Sequence, residues 1–446
     1  MHDCVVVGAG PAGMAAATLL AERGVDVVVL DEQAAPGGQI WRGVERAPAG
    51  RLAVLGEDYA AGAGVVARFR ASGAGYRSGA SVWNVTAERE VWAGGERLEG
   101  RCVLLAVGAM ERAVPVPGWT LPGVMGAGGV QILLKSSGLV PQGLVLVGNG
   151  PLLYLLAAQC IAAGAPPAAV VDTARAEDLV PALRLLRPAA WPYLRKGLML
   201  QGAIRAAGVA WYRGVEGVRL LGGGRVEGVR FRSGGREVEI AAGLVGLHEG
   251  VIPTQHVARA AGCAHVWDEG QACFRPVLDE WGNSSVDGVL VAGDAGGIGG
   301  AAAAVHAGRI AAAEVLRRVG RVDEAERDGL AAADRRGLAR HLAVRPFLER
   351  RYRPSALVPA DEVVVCRCEE VTAGDLRRAV AQGAQGPNQA KAFTRAGMGA
   401  CQGRMCGTTV ATVMAAALGR SPGEVGHARV RPPLKPITVG ELAGVG

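Results

Sequence analysis

Apolar residues in this chain gather into short unbroken runs that each stop at a glycine. Cys4–Val7 runs into Gly8, Leu144–Val147 into Gly148, and Val289–Ala292 into Gly293. A short apolar run without polar alternation predicts a strand covered on both faces, and such strands joined by helices predict a parallel sheet. In the opening unit Val5–Val7 is the first strand, a small-residue helix follows to about Arg23, and Val27–Leu30 is a second strand ending at Asp31. Leu144–Asp172 repeats the plan: strand, glycine turn, helix, and an Ala-Val-Val strand ending in Asp172. The predicted fold class is therefore α/β, in several modules. The pattern changes after Pro359, where turn and helix-start sequence surrounds closely spaced cysteines.

Length and composition agree with several modules. The chain has 446 residues, beyond the size at which a single core usually stops growing. Apolar residues make up 50% and charged residues 20%, which excludes a disordered chain. The net charge of +7 is concentrated: Arg335 to Arg353 holds seven Arg against Glu349 alone. Nucleic-acid binders spread cations along a face with stacking aromatics between them. This stretch reads instead as a solvated linker helix, with docking onto an acidic partner as the alternative. Two long uncharged runs, Cys4–Ala21 and Leu144–Val171, each contain a Gly-x-Gly turn. A turn inside a bilayer would leave backbone groups unpaired, so no transmembrane segment is expected. The expected location is cytoplasmic, with peripheral contact at the inner membrane as a variant. Nine Cys there suggest thiols or metal ligands rather than disulfides.

Gly8, Ala9, Gly10, Pro11, Ala12 and Gly13 form a GxGxxG turn between strand and helix. In such a turn the first glycine permits the sharp bend, the second lets a pyrophosphate approach, and the third lets helix and strand pack closely. The helix N-terminus offers free N–H groups to the phosphates. Asp31 lies 23 residues after Gly8, with Glu32 beside it, at the spacing where a carboxylate meets a ribose. An acid there disfavours a 2′-phosphate, and hence NADP. The turn alone leaves FAD and NAD open. Residues 284–312 resemble the second FAD fingerprint of two-dinucleotide-domain flavoproteins, in which the Asp of a Gly-Asp pair, here Gly293 and Asp294, holds the ribityl chain. The resemblance extends to Gly37, Gly38 and Gln39 and to Leu104–Arg112, which contains Gly108. It implies a thioredoxin-reductase-like arrangement: an FAD-binding domain from residues 1–113 and 266–318, and an NAD-like domain from 114–265. In the second domain Leu153 stands where the third glycine belongs, so nucleotide binding is expected to be impaired. Cys102, Cys160, Cys263 and Cys273 are single, which removes a flavin–dithiol relay. His248 and Glu249 sit at the return crossover, either hydrogen-bonded there or facing a flavin or partner.

After a linker at 319–360, residues 361–446 carry Cys366, Cys368, Cys401 and Cys406. Two close pairs of thiols are suited to one metal centre. Paired zinc ligands usually stand two to four residues apart, so the single-residue gap in Cys366-Arg-Cys368 favours a 2Fe-2S cluster over zinc or redox thiols. Such a core with four thiolates carries a charge of about −2, which Arg367, Arg404 and Lys391 are placed to offset. The pattern resembles the 2Fe-2S domain of bacterioferritin-associated ferredoxins, with a wider second pair.

The order of modules, together with Pro115–Gln131 and the run Cys366–Thr372, resembles the α-type subunits of hetero-oligomeric amino-acid dehydrogenases. These comprise the D-hydroxyproline or proline dehydrogenases, opine oxidases, hydrogen cyanide synthase and, more distantly, sarcosine oxidase. The resemblance implies that the partner is a glycine-oxidase-like flavoprotein β subunit, joined by a further small subunit in some members. It also implies FMN at a subunit interface, a quinone or other acceptor, and in some relatives NAD or ATP in place of FAD in the first slot. Two other readings stand beside it: a self-contained NAD(P)H-dependent reductase, and a regulatory subunit with a structural cluster. No general base for amine oxidation is identifiable.

Overall fold

The computed structural model describes residues 1–444. The first sheet has the parallel order Gly75–Ser78, Val27–Asp31, His2–Val7, Glu96–Leu105, Val289–Val291. Glu96–Leu105 also carries the antiparallel strands Glu90–Ala93 and Val82–Val85. Alternate residues of the central strand serve two cores. Cys4 and Val6 face Met14, Leu20, Ala312 and Val315, while Val5 and Val7 face Val82, Val91 and Val257. On the first side, helices Pro11–Glu22 and Ala301–Arg318 approach so closely that a Cβ on Gly308 would lie 2.1 Å from the Ala12 carbonyl oxygen.

A second sheet is parallel throughout, in the order Ala210–Arg213, Ala169–Asp172, Leu144–Asn149, Leu244–Glu249, Val124–Gly126. Leu144, Leu146 and Val170 pack against Leu153, Leu156 and Ile204 of its helices. Val145, Val147 and Val171 pack against Leu220, Val229 and Phe231 of an antiparallel three-stranded sheet on the other face. The two sheets are joined by a crossover ribbon, Ala109–Glu111 paired with Val251–Pro253.

The Arg-rich stretch differs from a solvated linker. It forms helices Glu324–Leu342 and Arg345–Arg351, the first opened by a capping box between Asp323 and Glu326. Arg327 and Arg335 lie 3.8 and 4.0 Å from the Trp281 ring centre, so their guanidinium planes bind the helix to the first domain. Residues beyond 360 form a small helical module around Val365, Leu376, Ala390, Val410 and Met414. Its tail runs back to the first sheet: Leu434 is buried there, and its N–H donates to the Trp83 carbonyl at 2.8 Å. Among the described residues no helix is long and apolar enough to cross a membrane.

Candidate functional site: an open nucleotide turn, a filled crevice and four thiols

The glycine fingerprints converge at the carboxyl edge of the first sheet. Gly8 has φ +103°, and a Cβ there would lie 2.6 Å from the Ala106 carbonyl oxygen. A Cβ on Gly13 would lie 1.9 Å from the Gly8 carbonyl oxygen, so helix and turn touch backbone to backbone. Gly10 differs, because nothing lies within 4 Å of where its side chain would project. The helix that begins at Pro11 has no side-chain cap and no acid in its first turn. Open space at Gly10 before an uncapped helix start is the cradle a pyrophosphate requires. Ala12 meets Gly293, whose Cβ would lie 2.8 Å from that of Ala12, and a Cβ on Gly38 would lie 3.0 Å from Gly10 Cα. The two fingerprints and the Gly37–Gln39 loop thus surround one space.

Asp31 closes one end of it. Its Oδ2 accepts the Ala9 N–H at 2.5 Å and its Oδ1 the Gln33 N–H at 2.7 Å. Burial raises its pKa, and the N–H donors of Ala9 and Gln33 oppose that rise. Glu32 pairs with Lys435 of the carboxyl tail. Asp294 Oδ1 accepts the N–H groups of Gly299 and Gly300 at 2.8 and 2.9 Å, so one oxygen holds the turn before helix Ala301–Arg318. Gly108, at φ +66°, accepts the Thr254 N–H at 3.0 Å where the chain changes domain. Two cations near this space, Lys135 and Arg42, have no motif in the sequence. Lys135 donates to the Gln39 carbonyl at 3.1 Å, and burial, aided by Arg42, lowers its pKa to about 8. Arg42 donates to Gln33 and to Gln39. The only sign of Lys135 is a lone charge in the otherwise uncharged helix Ala127–Ser137.

The matching crevice of the second domain is filled by the chain itself. The Asn149 amide nitrogen, inside the Gly148–Gly150 turn, donates to the Arg353 carbonyl at 3.0 Å. Glu249 accepts the N–H groups of Ser355 and Ala356 at 2.8 and 3.1 Å. Asp172, the counterpart of Asp31, accepts the Tyr154 hydroxyl at 2.7 Å, and Tyr352 packs against Tyr154. Leu153 is fully buried in the helix core. His248 and Glu249 both take part in the hydrogen-bonded crossover. His248 Nδ1 lies 2.7 Å from Glu111 Oε1, and Glu111 also accepts the Gly128 N–H at 3.0 Å.

The four cysteines come together in the small module as two pairs. Cys366 neighbours Cys406 and Cys368 neighbours Cys401, and Gly397 lies between the first two, its N–H 3.4 Å from Cys366 Sγ and a Cβ on it 3.9 Å from Cys406 Sγ. The contact with Cys406 and the N–H groups of Gly397, Glu369 and Cys368 lower the Cys366 pKa to about 6. A Cβ on Gly399 would lie 2.3 Å from Cys368 Cβ, so the loop closes tightly over that side chain. Among the described residues no three His, Cys, Asp or Glu side chains are arranged to hold one metal ion. Two pairs of thiolates are the donor set of a two-iron core, one pair to each iron. Of the cations expected nearby, Arg404 Nε donates to the Cys401 carbonyl at 3.2 Å, while Lys391 donates to the Arg429 carbonyl at 3.0 Å. His256 Nε2 donates to the Gln402 carbonyl at 2.8 Å and ties this loop to the crossover.

Known proteins resemble this chain. Residues 2–308 match the family described as pyridine nucleotide-disulphide oxidoreductase, and residues 361–445 match the sarcosine oxidase A3 domain. An opine oxidase, through its A-type chain in Rhizobium meliloti (strain 1021), is 50% identical, over 99% of this chain and 98% of its own. Hydrogen cyanide synthase subunit HcnB of Pseudomonas aeruginosa is 36% identical, over 99% of this chain and 98% of its own. Among solved structures, L-proline dehydrogenase from P. horikoshii superposes with a TM-score of 0.70 at 19% identity, over 99% of this chain and 79% of that one. The chain is thus an oxidoreductase of the pyridine nucleotide-disulphide oxidoreductase family and belongs, within it, to the group that contains the A-type subunits of opine oxidases.

Proposed function

We propose that this chain is the electron-transfer subunit of a hetero-oligomeric, flavin-dependent dehydrogenase that acts on the CH–NH bond of an amino acid of the opine, proline or hydroxyproline kind. Substrate oxidation belongs to a glycine-oxidase-like flavoprotein partner, with FMN at the subunit interface. Electrons pass through this chain to a quinone or other acceptor. Bound FAD would take up electrons in pairs and release them singly, and a 2Fe-2S core carries one at a time, so together they would join a two-electron oxidation to a one-electron chain.

In this reading residues 1–113 and 266–318 hold the FAD. The first-turn N–H groups after Gly10 bind its pyrophosphate, Asp31 its adenosine ribose, and the free oxygen of Asp294 its ribityl hydroxyls. Cys366, Cys368, Cys401 and Cys406 supply the cluster thiolates, and the Gly397 N–H, 3.4 Å from Cys366 Sγ, helps to stabilise their charge.

The observation that carries this reading is the contrast between the two glycine turns. Gly10 faces open space, whereas Asn149 is bonded to the chain's own Arg353. A self-contained NAD(P)H reductase needs the second turn free. Anaerobic stopped-flow mixing of the FAD-loaded chain with NADH or NADPH tests the difference. Flavin absorbance is expected to persist with either coenzyme, and rapid bleaching by one of them would establish the reductase instead.

A further inference from the structure

Between the strands Ala169–Asp172 and Ala210–Arg213 the chain leaves the second domain in a helical excursion. Its inner face is accounted for: Ala182 and Ala190 are buried against Val344 and Phe347, with Leu186 and Leu194 beside them. Its outer face is not. Leu179, Val180 and Leu183 are exposed on the short first helix, and Trp191, Leu198 and Met199 are 64%, 62% and 62% exposed on helix Trp191–Ala206. Large apolar side chains scattered singly need no explanation, but this many on one excursion mark an interaction surface.

The charges on the same excursion identify what the surface fits. From Leu179 to Val215 there is no Asp or Glu. Arg184, Arg187 and Arg195 take part in no ion pair among the described residues. Arg195 lies on the same stripe as Trp191, Leu198 and Met199, at helical spacings of four, three and four residues. A helix that lies in a bilayer surface places its cations opposite its apolar face. Trp, Met and Arg mixed on one face, with acids absent, is instead the composition of a protein–protein interface. A second copy of this chain across a twofold axis would set these arginines against one another.

We propose that the outer face of residues 179–199 is where the partner flavoprotein subunit docks, and that the partner presents an apolar patch edged with carboxylates. This rests on the subunit reading above and assigns it a surface. Trp191 and Leu198 are the anchors, and Arg195 supplies the charge contact.

Co-expression of this chain with the proposed glycine-oxidase-like flavoprotein subunit tests the assignment. The wild-type pair is expected to co-purify, and Trp191→Glu combined with Leu198→Glu is expected to weaken the complex on the order of 100-fold while the free variant keeps its FAD and its thermal midpoint. Amide exchange of the wild-type complex, which needs no variant to fold, is expected to slow across 179–199. Failure of the wild-type pair to associate overturns the subunit reading itself. A complex that forms without protecting 179–199, or that survives the double variant, overturns the surface alone. Sedimentation of the wild-type chain with phosphatidylcholine–phosphatidylglycerol vesicles, lost in the double variant, would assign the face to a membrane. A concentration-dependent dimer lost in the same variant would assign it to a second copy.

Discussion

Gly10 and Gly13 stand three residues apart in one turn and answer to different constraints. Gly13 has no room, since its Cβ would lie 1.9 Å from a carbonyl oxygen. Gly13→Ala is therefore expected to push the helix off the strand and to cost about 1–3 kcal/mol of unfolding free energy, read by denaturant titration of the nucleotide-free chain. Gly10 has φ −78° and empty space before it, so Gly10→Val leaves the chain's own packing intact. Its stability should change by only about 0.5 kcal/mol while bound flavin nucleotide is lost on purification. If Gly10→Val retains stoichiometric FAD, the pyrophosphate does not lie against this turn. Among the thiols, Cys401→Ser is expected to remove the iron and its visible absorbance and to leave FAD in place. Retained iron and sulfide on analysis would exclude this cysteine as a ligand.

At the scale of elements, helix Ala301–Arg318 carries a charge network that no motif announces. Glu314 is almost wholly buried, and its carboxylate accepts from Arg317, Arg318 and Arg327, the last of these on the next helix. Burial alone would raise its pKa, but the hydrogen bonds from Arg317 and Arg327 prevail and hold it at about 2. A carboxyl with a depressed folded-state pKa adds stability that is fully present above its unfolded value near 4.5 and is lost as pH falls toward about 2. Glu314→Gln should remove this slope from the acid limb of the stability profile and destabilise the chain at neutral pH; an unchanged acid limb would mean that the network contributes nothing.

The strand–turn–helix units were legible because apolar runs, glycines and terminal acids are local and periodic. The docking of the Arg-rich helices was not. It depends on Trp281 meeting Arg327 and Arg335, residues far apart in sequence that neither period nor spacing connects. Leu153 pointed to an impaired second crevice. That Arg353, Ser355 and Ala356 would fill it could be read from no single stretch of chain.

Across the whole molecule, the small module is tied to the rest of the chain at two places. His256 holds the cysteine loop, and the tail places Leu434 in the first core and Lys435 against Glu32, next to Asp31. Leu434→Ala should cost about 2–4 kcal/mol. Because the tail touches the residue after Asp31, the same change should also hasten FAD loss on dialysis. A variant that unfolds earlier yet retains FAD as firmly as wild type would separate the tail from the nucleotide site.

The occupied second crevice also sets a limit for redesign. Someone wishing to power this chain from a diffusible hydride donor would gain little by restoring a glycine at position 153. The peptide at 353–356 supplies partners to Asn149 and Glu249, whose other side-chain hydrogen bonds are both to Thr173. Evicting it would demand new companions for both, and the helix Arg345–Arg351 leading into it would have to be re-anchored. Converting the protein to a different fuel is thus a matter of rerouting its backbone, beyond the reach of a point substitution.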